Sequence, residues 1–213
     1  MVVIDSQYCA MGRWISVIVG QQAGMHLIEG PELCALSGQG WLTPEVLAEV
    51  DATAADSSPE ELRGDGLFLR VSAAVSDAVR VAATEGDCLI HERAGAHLLA
   101  ERDDVFSTMV RCSDPSARIP RARLDPHFPE LLEASEQAVR ERISREDRSR
   151  ANYHDAISST PWGGVDGYDL VLDSGRISRE KSAEILTAAI SPTGIDEVQA
   201  QELVSRYVGV GAR

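Results

Sequence analysis

The chain has 213 residues, 44% hydrophobic and 25% charged, which is enough for one domain with a sizeable core and excludes a disordered or low-complexity polymer. Twenty basic against 34 acidic residues leave a net charge of −14, which argues against a binder of long nucleic acid or of anionic membrane, since both recruit Lys and Arg. Small anionic ligands stay open, because a local cluster can oppose the global sign.

The apolar triplet Val2-Val3-Ile4 reads as a strand, Asp5-Ser6-Gln7 as a polar turn, and Gly12 to Gln22 as a helix by its apolar spacing. Met25 to Ile28 is a second short strand, with Gly30-Pro31 as a break after it. Thr43-Pro44-Glu45 opens another helix, with cap, first-turn proline and acid in order. The Ala/Ser/Asp-rich stretch from Asp51 to Gly66 reads as a connector. Leu67 to Thr84 has apolar residues at helical spacing, and Glu85-Gly86-Asp87 ends that helix. Cys88-Leu89-Ile90 suits a buried strand, Ala94 to Glu101 a helix, and Val105 to Val110 another strand. Prolines break the stretch from Pro115 to Pro129, and a long charged helix is expected from Pro129 to about Ile157. Tyr168 to Asp173 reads as the last strand, followed by helices near Ser178 to Ile190 and Gly194 to Tyr207.

Strands alternating with helices predict an α/β fold, a parallel sheet covered on both faces, with ligands at the carboxyl ends of the strands. The cysteines Cys9, Cys34, Cys88 and Cys112 are far apart and form no CxxC, so free thiols in a reducing cytoplasm are expected rather than disulfides or a zinc site. No opening segment has the pattern of a secretory signal, and no apolar run reaches the length of a membrane span. His91 and His97 read as packing or surface residues, with no ligand set around them.

The segment from Asp5 to Trp14 leads from a strand into a helix, the geometry in which backbone N–H groups and a helix N-terminus cradle a phosphate. On its own the segment is a weak motif, with only Gly12 and the cation Arg13 in place. In combination, however, the ordered segments VVIDSQYCAMGRW (Val2–Trp14), GMHLIE (Gly24–Glu29), EGDCLIHERA (Glu85–Ala94), DRSRANY (Asp147–Tyr153), PWG (Pro161–Gly163) and YDLVLDS (Tyr168–Ser174) resemble the cytidylate kinase-like family of P-loop nucleotide kinases over roughly residues 1–190.

The resemblance implies a three-layer P-loop NTPase fold with a helical lid. Residues 1–191 would form the kinase-like domain, about 118–160 its lid region, and 192–213 a helical extension that could cover the sheet edge or mediate a homodimer. The implied reaction moves the γ-phosphoryl group of ATP, with Mg²⁺, to a nucleoside monophosphate, CMP by default, so that the partner is a small nucleotide and not a nucleic acid polymer or a membrane. Cys9, Ala10, Met11, Gly12, Arg13 and Trp14 would line the donor-phosphate loop, with Arg13 on the β and γ phosphates. Arg93 would hold the acceptor's phosphate and Asp147 would face the acceptor. Arg148 and Arg150 would close over the transferring group.

Departures from the pattern cluster at this centre. Cys9 and Met11 stand where the family has glycines, Trp14 where it has Glu, and Glu92 where it has Gly before Arg93. An alternative therefore stands beside the kinase: a catalytically degenerate kinase fold that binds a nucleotide or a protein partner. The arginines follow the same geography. Residues 118–150 carry eight arginines against seven acids, whereas residues 1–66 carry two against ten.

Overall fold

The computed structural model describes residues 1–191. It has five parallel strands, β1 (Val2–Ser6), β2 (His26–Ile28), β3 (Cys88–His91), β4 (Phe106–Arg111) and β5 (Leu170–Asp173), in the order β2-β3-β1-β4-β5. The central strand β1 is buried along its whole length, its Val2 level with Leu89 on one side and Phe106 on the other. Its side chains alternate between two cores, as a period of two requires. Val3 joins Ile28 and Ile90 on one face, and Val2 and Ile4 join Leu89 and Val110 on the other.

Helices cover both faces and give the three-layer α/β architecture. On one side, α2 (Gly30–Leu36), α3 (Pro44–Asp56), α4 (Pro59–Leu62) and α5 (Gly66–Glu85) supply Leu33, Leu47, Val50, Leu62, Phe68, Val71, Val75 and Val79 to the Val3 core. On the other, α1 (Gly12–Ala23) and α9 (Arg179–Ile190) bury Ile15, Val19, Ala183 and Leu186 against Val2 and Ile4. A short α6 (Gly95–Leu98) follows β3. Beyond β4, α7 (Pro115–Arg123) and α8 (Glu136–Ile157) form a third cluster, with Ile119, Ala122, Val139 and Ile143 packed against Tyr8 of the loop after β1.

Most helix starts rest on side-chain caps visible in the sequence. Thr43, Ser58, Asp65, Asp114, Ser135 and Ser178 each accept a bond from an amide in the first turn. Other boundaries differ from the sequence reading. Gly30-Pro31 does not break the chain but opens α2, because Glu29 and Glu32 form a reciprocal capping box and Pro31 occupies the first turn, where its missing N–H costs nothing. The stretch expected as a connector continues α3 to Asp56 and then forms α4 on the Ser58–Glu61 box. Pro120 lies inside α7, and α8 begins at Glu136 behind the Ser135 cap rather than at Pro129, which starts a single 3-10 turn. The expected helix from Gly194 to Tyr207 lies outside the described residues.

Candidate functional site

The site is built at the carboxyl ends of β1 and β3, where the loop into α1, the turn after β3 and the side of α8 meet. The loop after β1 is pinned from outside. Arg118, only 5% exposed, donates to the carbonyl of Tyr8 and to both carboxylate oxygens of Asp147, at 2.9 and 2.7 Å, while the Tyr8 amide donates to Asp147 Oδ1 at 2.8 Å. Arg121 donates to the carbonyl of Cys9 at 3.2 Å, and the Tyr8 hydroxyl donates to Asp125 at 2.6 Å. The loop's carbonyls thus face α7. The amides of Gly12, Arg13 and Trp14 belong to the first turn of α1 and have no intrahelical acceptor.

The loop keeps a glycine-like backbone without the glycines. Cys9 has φ 59° and Met11 φ 73°, both left-handed. Such conformations cost a side-chain-bearing residue roughly 1–2 kcal/mol each and persist where the surroundings over-determine them. Gly12 meets the opposite constraint, for a Cβ there would lie 2.3 Å from Ser6 Cβ and 2.4 Å from its Oγ. Burial pushes the Cys9 thiol up to about 11, so it is a neutral packing group.

After β3 the backbone is left-handed at three successive residues, Glu92 (φ 70°), Arg93 (φ 60°) and Ala94 (φ 55°). This turn sends Glu92 toward Arg150 of α8, which also donates to the Ser6 carbonyl at 2.8 Å. Arg93 is clamped by Asp51 of α3 in a two-bond pair of 2.6 and 2.7 Å, near the ring of Tyr153. Burial opposes its charge but Asp51 outweighs that, and the guanidinium is held above its usual range. Between them lies a cleft of about 90 Å³ lined by Asp5, Ser6, Asp51, Glu92, Arg93, Arg150, Tyr153 and Trp162 among others. Pockets that engulf a drug-sized ligand run to roughly 300–1,000 Å³, so the self-made ion pairs hold this one nearly shut.

Asp5, 2% exposed, accepts from the Tyr168 hydroxyl at 2.9 Å. Burial lifts its carboxyl to about 6, against the bond from Tyr168. Tyr153 Oη is buried on the cleft wall with no hydrogen-bond partner among the described residues, and burial raises its phenol to about 12.

The sequence-predicted residues divide. Arg93, Arg150 and the end of β1 converge on the cleft, whereas neither Arg13 nor Arg148 lines it. Arg13 lies outward at the start of α1 in a two-oxygen pair with Glu29 at 2.9 Å. A bond from His91 first, and Arg13 second, hold the Glu29 carboxyl down near 2 against the opposing effect of its burial. Arg148 reaches Ser144 Oγ and the Ala55 carbonyl at 3.3 and 3.5 Å. Asp147 spends both oxygens on Arg118 and the loop amide, and Trp14 is 54% exposed with Arg179 over its ring. Ala10 is buried in the sheet-side core.

Sequence reasoning missed Asp51, Tyr153, Arg118 and His91. Asp51 sat in what read as a connector, and Arg118 in a proline-broken stretch. Among the described residues no group of three or more His, Cys, Asp or Glu side chains is placed to hold a metal, all four cysteines are free, and no helix is long and apolar enough to cross a membrane.

The family model of the cytidylate kinase-like family matches residues 1–176. A crystal structure of an uncharacterized protein from Eubacterium ventriosum superposes with a TM-score of 0.65 at 14% identity, covering 90% of this chain and 98% of that one. The YorR protein of Bacillus subtilis in complex with phosphorylated GDP (TM-score 0.47, 13% identity, 89% and 95% coverage) and shikimate kinase of Acinetobacter baumannii in complex with shikimate (0.47, 6%, 89% and 91%) are more distant. No curated protein matches the sequence. With its match spanning most of the length and its three-layer parallel sheet, the chain belongs to the cytidylate kinase-like family.

Proposed function

We propose that the protein is a nucleotide-binding phosphotransferase that seats the phosphates of ATP on the loop from Cys9 to Trp14 and passes the γ-phosphoryl group to a nucleoside monophosphate held in the adjoining cleft, CMP being the acceptor implied by the resemblance. The observation that supports this best is the backbone of Cys9 and Met11. Two residues with side chains are held left-handed at the positions where phosphate loops use glycine, directly before a helix whose first amides are unpaired.

In this reading the chain's own groups position and neutralise, which is most of what phosphoryl transfer requires. The amides of Gly12, Arg13 and Trp14 would face the β and γ phosphates, with Arg13 released from Glu29 to join them. Arg93 would turn from Asp51 to the acceptor phosphate, and Arg150 and Arg148 would move over the transferring group. Asp5, with an acid constant near neutrality, is placed to take the acceptor's proton. No Ser or Thr follows Arg13, and Asp5 is a single carboxylate. That donor set fits Mg²⁺ only where phosphate oxygens and water complete the shell, the usual way Mg²⁺ travels with a nucleotide. The ligand is then a small nucleotide rather than a polymer, consistent with a net charge of −14, and the setting is the cytoplasm. A homodimer through residues 192–213 is proposed from the sequence alone.

A second reading is favoured by the ion pairs. Arg13, Arg93 and Arg150 each bind a carboxylate of the chain, which suits a kinase fold that binds ligand without turnover. Thermal shift with ATP, ADP and each nucleoside monophosphate, with Mg²⁺, followed by a coupled ADP-release assay over the same acceptors, separates the two. Turnover with CMP supports the first reading and removes the second. Stabilisation without turnover supports the second, and neither effect with any pair removes the first and leaves of the second only a fold that binds a protein partner. The double change Cys9→Gly and Met11→Gly, which frees space over the loop, is expected to tighten ATP binding.

A further inference from the structure

We infer that Glu92 is a built-in competitor for the phosphate site: in the free protein its carboxylate occupies the position of a ligand's anionic oxygen, and an anionic ligand binds by displacing it. The inference rests on the proposed reading of the cleft as an anion site and names how that site is regulated.

The geometry is that of an occupied oxyanion site. Glu92 Oε1 receives the Ser6 hydroxyl at 3.2 Å from the end of β1, lies 3.5 Å from His91 Nε2 at the end of β3, and pairs closely with Arg150 Nη1 from α8. Two donors, Ser6 Oγ from β1 and Arg150 from α8, thus converge on one oxygen with the edge of the His91 ring beside it, as donors would on a phosphoryl oxygen. Burial pushes the Glu92 carboxyl up, but Arg150, His91 and Arg93 outweigh it and hold it below its ordinary range, so the competitor is charged. Glu92 reaches this position from a left-handed backbone, φ 70°, at a place where the family resemblance has Gly. A neighbouring carboxylate repeats the arrangement one step out: Glu29 holds Arg13 and lies 3.3 Å from His91 Nδ1. His91, 9% exposed, therefore bridges the two carboxylates that occupy the two cations. Displacing Glu92 frees Arg150, and loosens His91 from one of its two acids.

The test compares the wild type with Glu92→Gln, which keeps the side-chain shape and removes the charge, and Glu92→Gly, which removes the side chain. ATP, CMP and inorganic triphosphate are titrated calorimetrically at low and high KCl, and folding of each protein is checked by circular dichroism. Both variants are expected to bind at least one of these anions tenfold or more tightly than the wild type, with the gain shrinking at high salt. Wild-type binding that neither variant improves overturns the inference and leaves the nucleotide reading standing. A gain in Glu92→Gly alone, with Glu92→Gln folded and unchanged, overturns it too, since the obstacle is then bulk and not charge. Absence of binding in all three folded proteins overturns both the inference and the reading beneath it.

Discussion

Asp5 shows what burial does to a single side chain. It sits at 2% exposure on the central strand, facing Glu92, His91 and Arg150, and its carboxyl is lifted from 3.8 to about 6. The native state therefore binds this proton more tightly than the unfolded chain, and the stability it contributes is present below about pH 4 and lost as the pH rises through 6. Asp5→Asn keeps an acceptor for the Tyr168 hydroxyl and cannot ionise. Relative to wild type, the variant is expected to gain on the order of 3 kcal/mol between pH 4 and 7, read as a widening difference in urea midpoint. Parallel pH curves for the two proteins would contradict the assignment. The sequence shows Asp5 only as the start of a polar turn. That it is the end of a strand, under Tyr168 from a segment 163 residues away, is a fact of tertiary packing. Arg93 was legible because it follows an apolar strand, but its partner Asp51 was not, since nothing local links the two.

At the scale of elements, one cap was legible and packing was not. Thr43-Pro44-Glu45 marks α3 in the sequence, whereas Asp65 fell within an expected connector and Ser135 within a helix expected from Pro129, although each satisfies an amide that its helix cannot. α2 escaped notice because Gly-Pro is ambiguous between a stop and a start, and only the Glu29–Glu32 pairing decides it. Part of the charged face of α8 is a solvated run, in the Glu136–Arg140 pair. The other part fastens α8 onto α3: Asn152 donates to the carbonyls of Ala54 and Ser57 at 2.9 and 2.8 Å, Ser149 to that of Asp51 at 2.6 Å, and Arg145 pairs with Asp56. The carbonyls of Ala54 and Ser57 are ones that the end of α3 leaves without helical partners. Asn152→Ala is expected to cost about 1–3 kcal/mol in chemical denaturation and to speed amide exchange at the end of α3. An unchanged midpoint would mean that the Ser149 and Arg145 contacts and the packing of Val139, Ile143 and Tyr153 hold α8 in place without Asn152.

Across the whole molecule, the excess of acid has a local meaning. The Arg-rich stretch from 118 to 150 supplies Arg118 and Arg121 to the loop after β1 and Arg150 to the cleft, so cations from late in the chain hold the carbonyls of its first loop. Each arginine of the cleft already faces a carboxylate, and the result is a site neutralised from within, with room for little until those pairs open. Planar guanidinium groups suit exchange between a carboxylate and a phosphate, because both present two oxygens to the same fork. The alternation of strands and helices carried the fold into view from the sequence, while the internal pairing could emerge only once β1, β3, α3 and α8 were brought together. The proposed function requires that nucleotide phosphates lie on the first turn of α1. The most direct measurement is the ¹H–¹⁵N spectrum of the labelled protein during titration with ATP and Mg²⁺. Saturable shifts of the Gly12, Arg13 and Trp14 amides, larger than those elsewhere in the sheet, are the predicted result; amides there that stay still at saturating ATP would contradict it.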